Sequence, residues 1–370
     1  MGLDVHVLGG PDQGTVTVWR SLLGALPPQH EYVLYSFDPL LTARLFPQAH
    51  FRHERIPVRQ PHLRIQLAYP LLARRDGCDV FHANYNGPWW GVRGLVLTIH
   101  DVIWLDYPQF APEGWHRLGR WLARRSAGVA RRVITDSSYC KERIVHHLDV
   151  RSGAVDVVPV GLGPEWHGEQ AESTADWSGL RRKLPSRYVL SVGRWDPRKN
   201  FPAVARATAE LKRLGLTDGL VIVGPDDFGS AAIAEEIRRD GTAEIVTRLT
   251  SLTVSEMQEV YRHTQCLLYL SLAEGFGLPV LEAMAMGCPV VASDRTAIPE
   301  ICGTAALLVD PDDAEAVVGA ARRVLEDPGA AQELAGKGWQ RAAAFTSARM
   351  ATQTAAVYVR AGGAVRGGAM

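Results

Sequence analysis

The 370-residue sequence has no hydrophobic run near the ~20 residues that a membrane-spanning helix requires. Its first residues carry Asp4 and His6 and reach Gly9 without the basic start and apolar stretch of a secretory signal. The 5 cysteines form no CxxC pair, so neither a disulfide framework nor a zinc site is indicated. These absences predict a cytoplasmic protein with free thiols. They leave open a peripheral contact with the inner face of the cell membrane.

The sequence also has no excess of positive or negative charge, because 40 Lys and Arg balance 40 Asp and Glu. A protein whose whole surface serves nucleic acid needs surplus positive charge, so we expect no nucleic-acid partner. The length suggests two domains at roughly 100–200 residues each.

Short apolar segments alternate with stretches of helical periodicity along most of the chain. Segments such as Asp4–Leu8, Tyr188–Val192 and Cys266–Leu270 read as buried parallel strands, so the sequence predicts an α/β fold. A Gly- and Pro-containing break after Val160 separates two such series. We therefore predict two doubly wound, Rossmann-like domains at residues 1–165 and 175–345, facing each other across a cleft. The sequence predicts a last helix within about 347–370, and packing of this helix back on the first domain is left open.

The Gly-rich turn from Gly9 to Gly14 matches neither common phosphate loop. It lacks the Lys of a Walker loop and the Gly-x-Gly-x-x-Gly spacing of a dinucleotide site, which argues against an NAD-dependent oxidoreductase. A plain tight turn and a role in lining the cleft both remain open for it.

The segment from Ser271 to Ser293 carries a more specific pattern. An apolar strand leads into Glu274, a Gly-Phe-Gly turn and then Pro279, a residue suited to the first turn of a helix. Gly275 and Gly277 allow a ligand to approach the backbone closely, and the opening amides of the helix favour an anion such as a diphosphate. Glu274 and Glu282 could accept hydrogen bonds from sugar hydroxyls.

A second pattern places a basic loop after the strand that ends at Gly193. Arg194 and Lys199 would supply fixed positive charge to a departing phosphate, so no metal is expected. Arg198 is interpreted as a solvated cation.

Together these segments resemble the donor site of the retaining GT-B fold glycosyltransferases of family GT4, in which Glu, seven residues and Glu occur in a Glu-Gly-Phe-Gly-Leu-Pro context. The resemblance implies that Glu282 binds the nucleotide ribose and that Glu274 contacts the donor sugar. It also implies that the amides of Phe276, Gly277 and Leu278 face the sugar and diphosphate, and that Gly193, Arg194 and Lys199 hold the diphosphate.

A segment in the first half of the chain, Thr98-Ile-His100-Asp101, resembles a motif of the same family. The implied role of His100 is a contact with the donor sugar hydroxyls near the reacting carbon, and Asp101 would orient that loop. Ser137 or Ser138 is interpreted as the N-cap of the next helix.

The resemblance implies an enzyme that transfers a hexosyl unit from a nucleotide-diphosphate sugar to an acceptor hydroxyl, with retention of anomeric configuration and no cofactor. Donor and acceptor stay open, and the acceptor could be a polysaccharide, a glycolipid or a secondary metabolite. Alternatives are a catalytically silent GT-B binding or scaffold protein and a GT-B enzyme with another donor class. The basic, aromatic segment 115–125 is interpreted as a solvated helix face, with an anionic membrane or RNA as its alternatives.

Overall fold

The computed structural model describes residues 1–10, 14–110, 115–167 and 177–362. Three predicted features lie wholly or partly outside these ranges: the centre of the turn between Gly9 and Gly14, most of the chain between the two predicted domains, and the last residues of the predicted helix within about 347–370. The contacts divide the chain into two compact units, one formed by residues 1–163 with the chain from Thr346 onward, the other by residues 164–345.

The first unit contains a seven-stranded parallel sheet. Its strands are β1 (Gly2–Asp4), β2 (Tyr32–Ser36), β3 (Phe51–Arg55), β4 (Val80–Asn84), β5 (Gly94–Thr98), β6 (Arg132–Thr135) and β7 (Val155–Val157). They lie in the order β3-β2-β1-β4-β5-β6-β7. The helices are α1 (Gly14–Ala25), α2 (Pro39–Leu45), α3 (Pro61–Leu63), α4 (Tyr69–Arg75), α5 (Ile103–Asp106), α6 (Trp115–Val129), α7 (Ser138–Leu148) and α16 (Ser347–Arg360).

The second unit repeats this design with six parallel strands. They are β8 (Tyr188–Val192), β9 (Gly219–Val223), β10 (Val246–Leu249), β11 (Cys266–Tyr269), β12 (Val290–Ser293) and β13 (Leu307–Val309), in the order β10-β9-β8-β11-β12-β13. The helices are α8 (Trp177–Arg181), α9 (Phe201–Arg213), α10 (Ser230–Arg239), α11 (Val254–His263), α12 (Leu278–Ala285), α13 (Ile298–Cys302), α14 (Ala314–Glu326) and α15 (Pro328–Ala342). The predicted α/β class with two doubly wound sheets is confirmed.

Two strands differ from expectation. The first ends at Asp4 instead of Leu8, because the chain turns into a 3₁₀ segment at His6–Gly9 and the ring of His6 bonds the Asp4 carboxylate at 2.6 Å. Strand β3 was missed because it lies at the sheet edge and only Phe51 is buried in it, so its sequence has no apolar pattern. The five cysteines are free, and no helix in the described ranges is both long enough and apolar enough to cross a membrane.

Helix α16 packs on α1 and is anchored to the first sheet by a buried polar contact. His82 on β4 bonds the Tyr358 hydroxyl through Nδ1 and the Thr98 hydroxyl through Nε2, both at 2.7 Å. Burial lowers the pKa of His82 to about 3, so the ring is neutral and both of its nitrogens are satisfied. Helix α16 is thereby tied to the core of the first unit.

This contact generates a stability prediction. Tyr358→Phe should lower the free energy of unfolding by about 1–3 kcal/mol, because it leaves His82 Nδ1 buried without a partner. Denaturant unfolding measures the change. Val359→Ala, at the neighbouring exposed position, is the control and should have little effect. Equal stability of Tyr358→Phe and the wild type would contradict the anchoring role.

Candidate functional site

The loops that follow β8 and β11 meet where the strand order of the second sheet reverses. From β8 the chain continues to β9 and β10 on one side of the sheet, and then returns to β11 on the other side. In open α/β sheets ligands bind at the carboxyl ends of the strands beside such a switch point. The loop from Gly193 to Asn200 and the turn from Leu270 to Gly277 are the two segments located there.

Two glycines allow the backbones to approach at this edge. Gly193 has φ +153°, and a Cβ on it would lie 2.8 Å from Lys199 Cε. Gly224, which follows β9, has φ +157°, and a Cβ on it would lie 1.8 Å from the carbonyl oxygen of Gly193. Gly193 therefore makes room for the Lys199 side chain, and Gly224 makes room for Gly193. Gly224 was not among the predicted site residues, although its place directly after an apolar strand is a visible signal in the sequence.

Lys199 and Glu274 form a mostly buried ion pair between the two loops. Lys199 Nζ lies 2.5 Å from Glu274 Oε1 and 2.9 Å from the Tyr269 hydroxyl, which itself donates to Oε1 at 2.8 Å. Burial opposes the charge of Glu274, but the nearby charges of Lys199 and Arg198 and the hydrogen bond from Lys199 outweigh it and lower the pKa of Glu274. Glu274 is therefore an ionised acceptor with a fixed orientation.

A hydrogen bond to a residue that follows a third strand, β12, holds the backbone around Glu274 in place. Its amide donates to Thr296 Oγ1 at 2.9 Å, and Thr296 lies beyond β12 with a left-handed φ of +57°. Lys199 is placed by a 3₁₀ turn at Pro197–Lys199 that ends in left-handed Asn200. Segments following β8, β11 and β12 thus hold one carboxylate and one ammonium group in place.

The two arginines of the basic loop differ from each other. Arg194 has a side chain that is 44% exposed and pairs with Asp227 at 2.9 Å. Arg198, expected as a solvated cation, is instead partly buried, bonds Asp196 at 3.0 Å and is close enough to lower the pKa of Glu274. The expectation for Arg198 was wrong because Asp196, two residues earlier, draws its guanidinium back against the loop.

The turn after Glu274 leads directly into α12. Gly277 is the N-cap residue with φ +108°, and the Phe276 ring packs edge-on against Phe345 with centroids 6.0 Å apart. Within the described residues, no acceptor is hydrogen-bonded to the amides of Phe276, Gly277 or Leu278. Such unpaired amides at the start of a helix favour an anionic ligand.

Glu282 lies on α12 and accepts a hydrogen bond from the Tyr261 hydroxyl at 2.9 Å. Burial raises the pKa of Glu282 to about 7, the charge of Glu165 adds to that effect, and the Tyr261 bond opposes it. Tyr261 was not among the sequence candidates, because a tyrosine on an amphipathic helix reads as part of the core.

The remaining candidates, His100 and Asp101, belong to the first unit. His100 follows β5, is 8% exposed and places Nδ1 2.8 Å from Asp136 Oδ2. Burial opposes protonation of His100, but the charge of Asp136, its hydrogen bond and the charge of Asp101 together raise the pKa of the ring. Asp101 Oδ1 accepts from the Ile103 amide at 3.1 Å, and Ser137 caps α7 as expected.

No group of three or more His, Cys, Asp or Glu side chains suited to a metal ion occurs in the described ranges.

Comparison with known proteins places both halves of the chain among glycosyltransferases. A model of glycosyl transferases group 1 matches residues 186–327, and a model of glycosyltransferase family 4 matches residues 13–166. The O-antigen chain mannosyltransferase B of Escherichia coli is 24% identical over 267 residues, which cover 71% of this chain and 69% of that protein. Two further curated relatives, the O-antigen chain mannosyltransferase RfbU of Salmonella typhimurium and the MMP alpha-(1->4)-mannosyltransferase of Mycolicibacterium hassiacum, match over 63% and 65% of their own length, slightly less than two thirds.

Solved structures share the fold over nearly the whole chain. Sucrose-phosphate synthase from Thermosynechococcus elongatus has a TM-score of 0.75 at 22% identity, covering 97% of this chain and 98% of that one. Anabaena HepE, solved in complex with UDP-glucose, has a TM-score of 0.72 at 19% identity and covers 96% of this chain and 98% of that one.

The raised pKa of Glu282 gives a prediction about stability and pH. A carboxyl whose pKa rises from 4.5 to about 7 on folding stabilises the fold fully below pH 4.5 and loses that contribution as the pH passes 7. Glu282→Gln should therefore raise the melting temperature relative to the wild type more at pH 8 than at pH 4.5. Thermal unfolding at both pH values measures this.

The control is Glu244→Gln at an exposed position, whose effect should differ little between the two pH values. An equal effect of Glu282→Gln at pH 4.5 and pH 8 would refute the raised pKa.

Proposed function

The chain belongs to glycosyltransferase family 4, with a GT-B fold, and from this premise we propose that it transfers a hexosyl unit from a nucleotide-diphosphate sugar to an acceptor hydroxyl. The anomeric configuration is retained, and no metal or other cofactor takes part. The observation that carries the proposal is the buried Lys199 and Glu274 pair, placed beside the unpaired amides that open α12.

Each group at this edge has a chemical task in the proposed reaction. The amides of Gly277 and Leu278 and the side chains of Lys199 and Arg194 stabilise the diphosphate as it departs with negative charge. Lys199 and Tyr269 both donate to Oε1 of Glu274, which leaves Oε2 to accept hydrogen bonds from sugar hydroxyls. Glu282 accepts from the ribose hydroxyls.

In the transfer step the bond between the anomeric carbon and the phosphate oxygen breaks, and a bond to the acceptor oxygen forms on the same face of the sugar. The acceptor hydroxyl gives its proton to the departing phosphate. His100 contacts the sugar hydroxyls near the reacting carbon. Positive charge from Lys199 and Arg194 takes the place that a divalent cation has in other transferases, so chelation by EDTA should leave the rate unchanged.

Site variants test this proposal. Glu274→Gln and Lys199→Met should each lower kcat by about 100-fold or more, since both groups act on the reacting sugar phosphate. The matched control is Lys337→Met, which breaks an exposed Lys–Glu pair on α15 and should leave kcat unchanged. Product formation is followed by mass spectrometry with a mixed pool of nucleotide sugars and candidate acceptors. Turnover near the wild-type rate in either site variant would overturn the assignment.

Calorimetry with a panel of nucleoside diphosphates separates a transferase from a silent scaffold of the same fold. A transferase should bind one nucleoside diphosphate clearly best, and Lys199→Met should weaken that binding. A scaffold with an inactive donor site would bind none of them.

We further propose that the first unit touches an anionic membrane surface. Residues 56–75, 80–100 and 115–135 contain no Asp or Glu. The segments adjoin one another, because Gln66 bonds the loop at Gly87 and Trp89, and the Trp89 ring packs on Trp121 with centroids 5.3 Å apart. Large apolar side chains are exposed along them: Leu63, Leu67, Leu71, Trp90, Leu118 and Trp121. Arginine with exposed Leu and Trp suits the boundary of anionic lipids.

Vesicle binding tests this surface. The protein should co-sediment with vesicles that contain phosphatidylglycerol and not with pure phosphatidylcholine, and added salt should weaken the binding. Trp90→Ser should reduce co-sedimentation severalfold. Trp339→Ser, on α15 of the other unit, changes a residue of similar exposure, 55% against 53%, and should have no effect. Equal binding to both kinds of vesicle, or no binding, would contradict the proposal.

A further inference from the structure

Asn84 and His100, at one edge of the first sheet, together have three buried polar atoms without a hydrogen-bond partner. They are the two side-chain amide atoms of Asn84 and Nε2 of His100. Elsewhere on the same strands the buried polar groups are paired, as His82 is on both ring nitrogens. Buried polar groups in folded proteins are nearly always bonded, so a cluster of unpaired ones requires an explanation.

The three atoms come from neighbouring strand ends. Asn84 is the last residue of β4 and lies in register with Thr98, the last residue of β5, while His100 follows two residues later. Tyr85 connects the two ends, since its amide donates to the Thr98 carbonyl and its ring meets the His100 ring edge-on at 5.6 Å. The strand order of this sheet also reverses between β1 and β4, so Asn84 stands at its switch point.

Asp136 decides which nitrogen of His100 is available. A carboxylate can only accept, so Nδ1 carries the proton of the 2.8 Å contact, and Nε2 is the ring nitrogen left without a partner. Both residues are buried, and the ring cannot turn away without breaking this pair. Asp136 thus acts as a positioning residue for His100.

The chemistry of the unpaired atoms selects the kind of ligand. Asn84 offers a donor and an acceptor side by side, and its acceptor Oδ1 requires a ligand that donates. The two phosphates of a nucleotide-diphosphate sugar are each esterified and ionised at neutral pH, so they have no proton to give and would leave Oδ1 unpaired. A sugar hydroxyl both donates and accepts, so two adjacent hydroxyls can satisfy the amide while a third bonds His100.

We propose that Asn84 extends the sugar contact already assigned to His100 into a subsite, with its side-chain amide binding hydroxyls of the same sugar substrate, and that Asp136 holds His100 in position. The inference rests on the proposed function for the identification of the ligand as a sugar. It assigns substrate recognition to Asn84 and a positioning role to Asp136.

Replacing Asn84 separates a binding role from a structural one. Asn84→Ala removes two unpaired atoms, so the melting temperature should stay the same or rise, while KM for one sugar substrate should rise about tenfold or more. Gln265→Ala is the matched control. It removes another buried amide with an unpaired oxygen, at the amino end of β11 in the other unit, and should leave KM unchanged.

Asp136→Asn tests the positioning role through a readout that loss of stability alone would not move. The charged groups that act on His100 are Asp136 and Asp101, with His82 nearby. Removing the Asp136 charge should lower the pKa of His100 in an NMR titration of its ring and shift the pH profile of KM in the same direction. Asp136→Glu should restore part of both.

The outcomes are distinct. If the wild type transfers sugar and Asn84→Ala has an unchanged KM with a lower melting temperature, the subsite is refuted and Asn84 is structural. An unmoved His100 pKa in Asp136→Asn refutes the positioning role. If the wild type neither binds nor transfers any nucleotide sugar of the panel, the proposed function fails. In that case the subsite is tested separately with free methyl mannoside or methyl glucoside. One of these sugars should perturb the His100 ring resonances in the wild type and not in Asn84→Ala. If neither sugar perturbs them in the wild type, the subsite is refuted.

Discussion

The buried ion pair between Lys199 and Glu274 is the interaction on which the edge of the second sheet depends. Taking an ammonium and a carboxylate out of water is costly, so the pair persists only because the two charges are 2.5 Å apart and Tyr269 bonds both. Its geometry requires Gly193 and Gly224, whose missing side chains leave room for the lysine stem and the neighbouring backbone. The same fixed charges give the edge an electrostatic field that needs no rearrangement when a charged substrate arrives.

Much of this edge could be predicted from the sequence because it is built from local signals. The Gly-Phe-Gly turn, Pro279 and the strand before Glu274 lie in one continuous segment, and the chemistry of a helix start follows from that order. The contacts of Arg198, Tyr261 and Gly224 could not be predicted in this way. Each depends on a residue outside its own motif or on a side chain turning back along the loop, as Arg198 does toward Asp196.

In the first unit, less of the structure could be predicted from the sequence. Its strands were less readable, since β3 is an edge strand with one buried residue and β1 ends early in a 3₁₀ turn. His100 was identifiable only through its resemblance to a family motif, and Asn84 carried no signal, because a lone asparagine after a strand is an ordinary turn residue. What marks Asn84 is the absence of partners around a buried amide, a property that only the packed structure contains.

The first six strands of the first sheet follow the same order as the six strands of the second, yet the edges of the two sheets carry different chemistry. The switch point of the second sheet is lined by ionised groups, Lys199 and Glu274 with Arg198 behind them, which suit a diphosphate and its leaving charge. The edge of the first sheet presents the neutral amide of Asn84 and one nitrogen of His100, which suit hydroxyls. Charge recognition needs few residues at fixed spacing, so it leaves a motif in the sequence. Hydroxyl recognition depends on where individual amides and rings are left unpaired, and for that reason a subsite of the kind proposed for Asn84 leaves its mark in the packing and not in a motif.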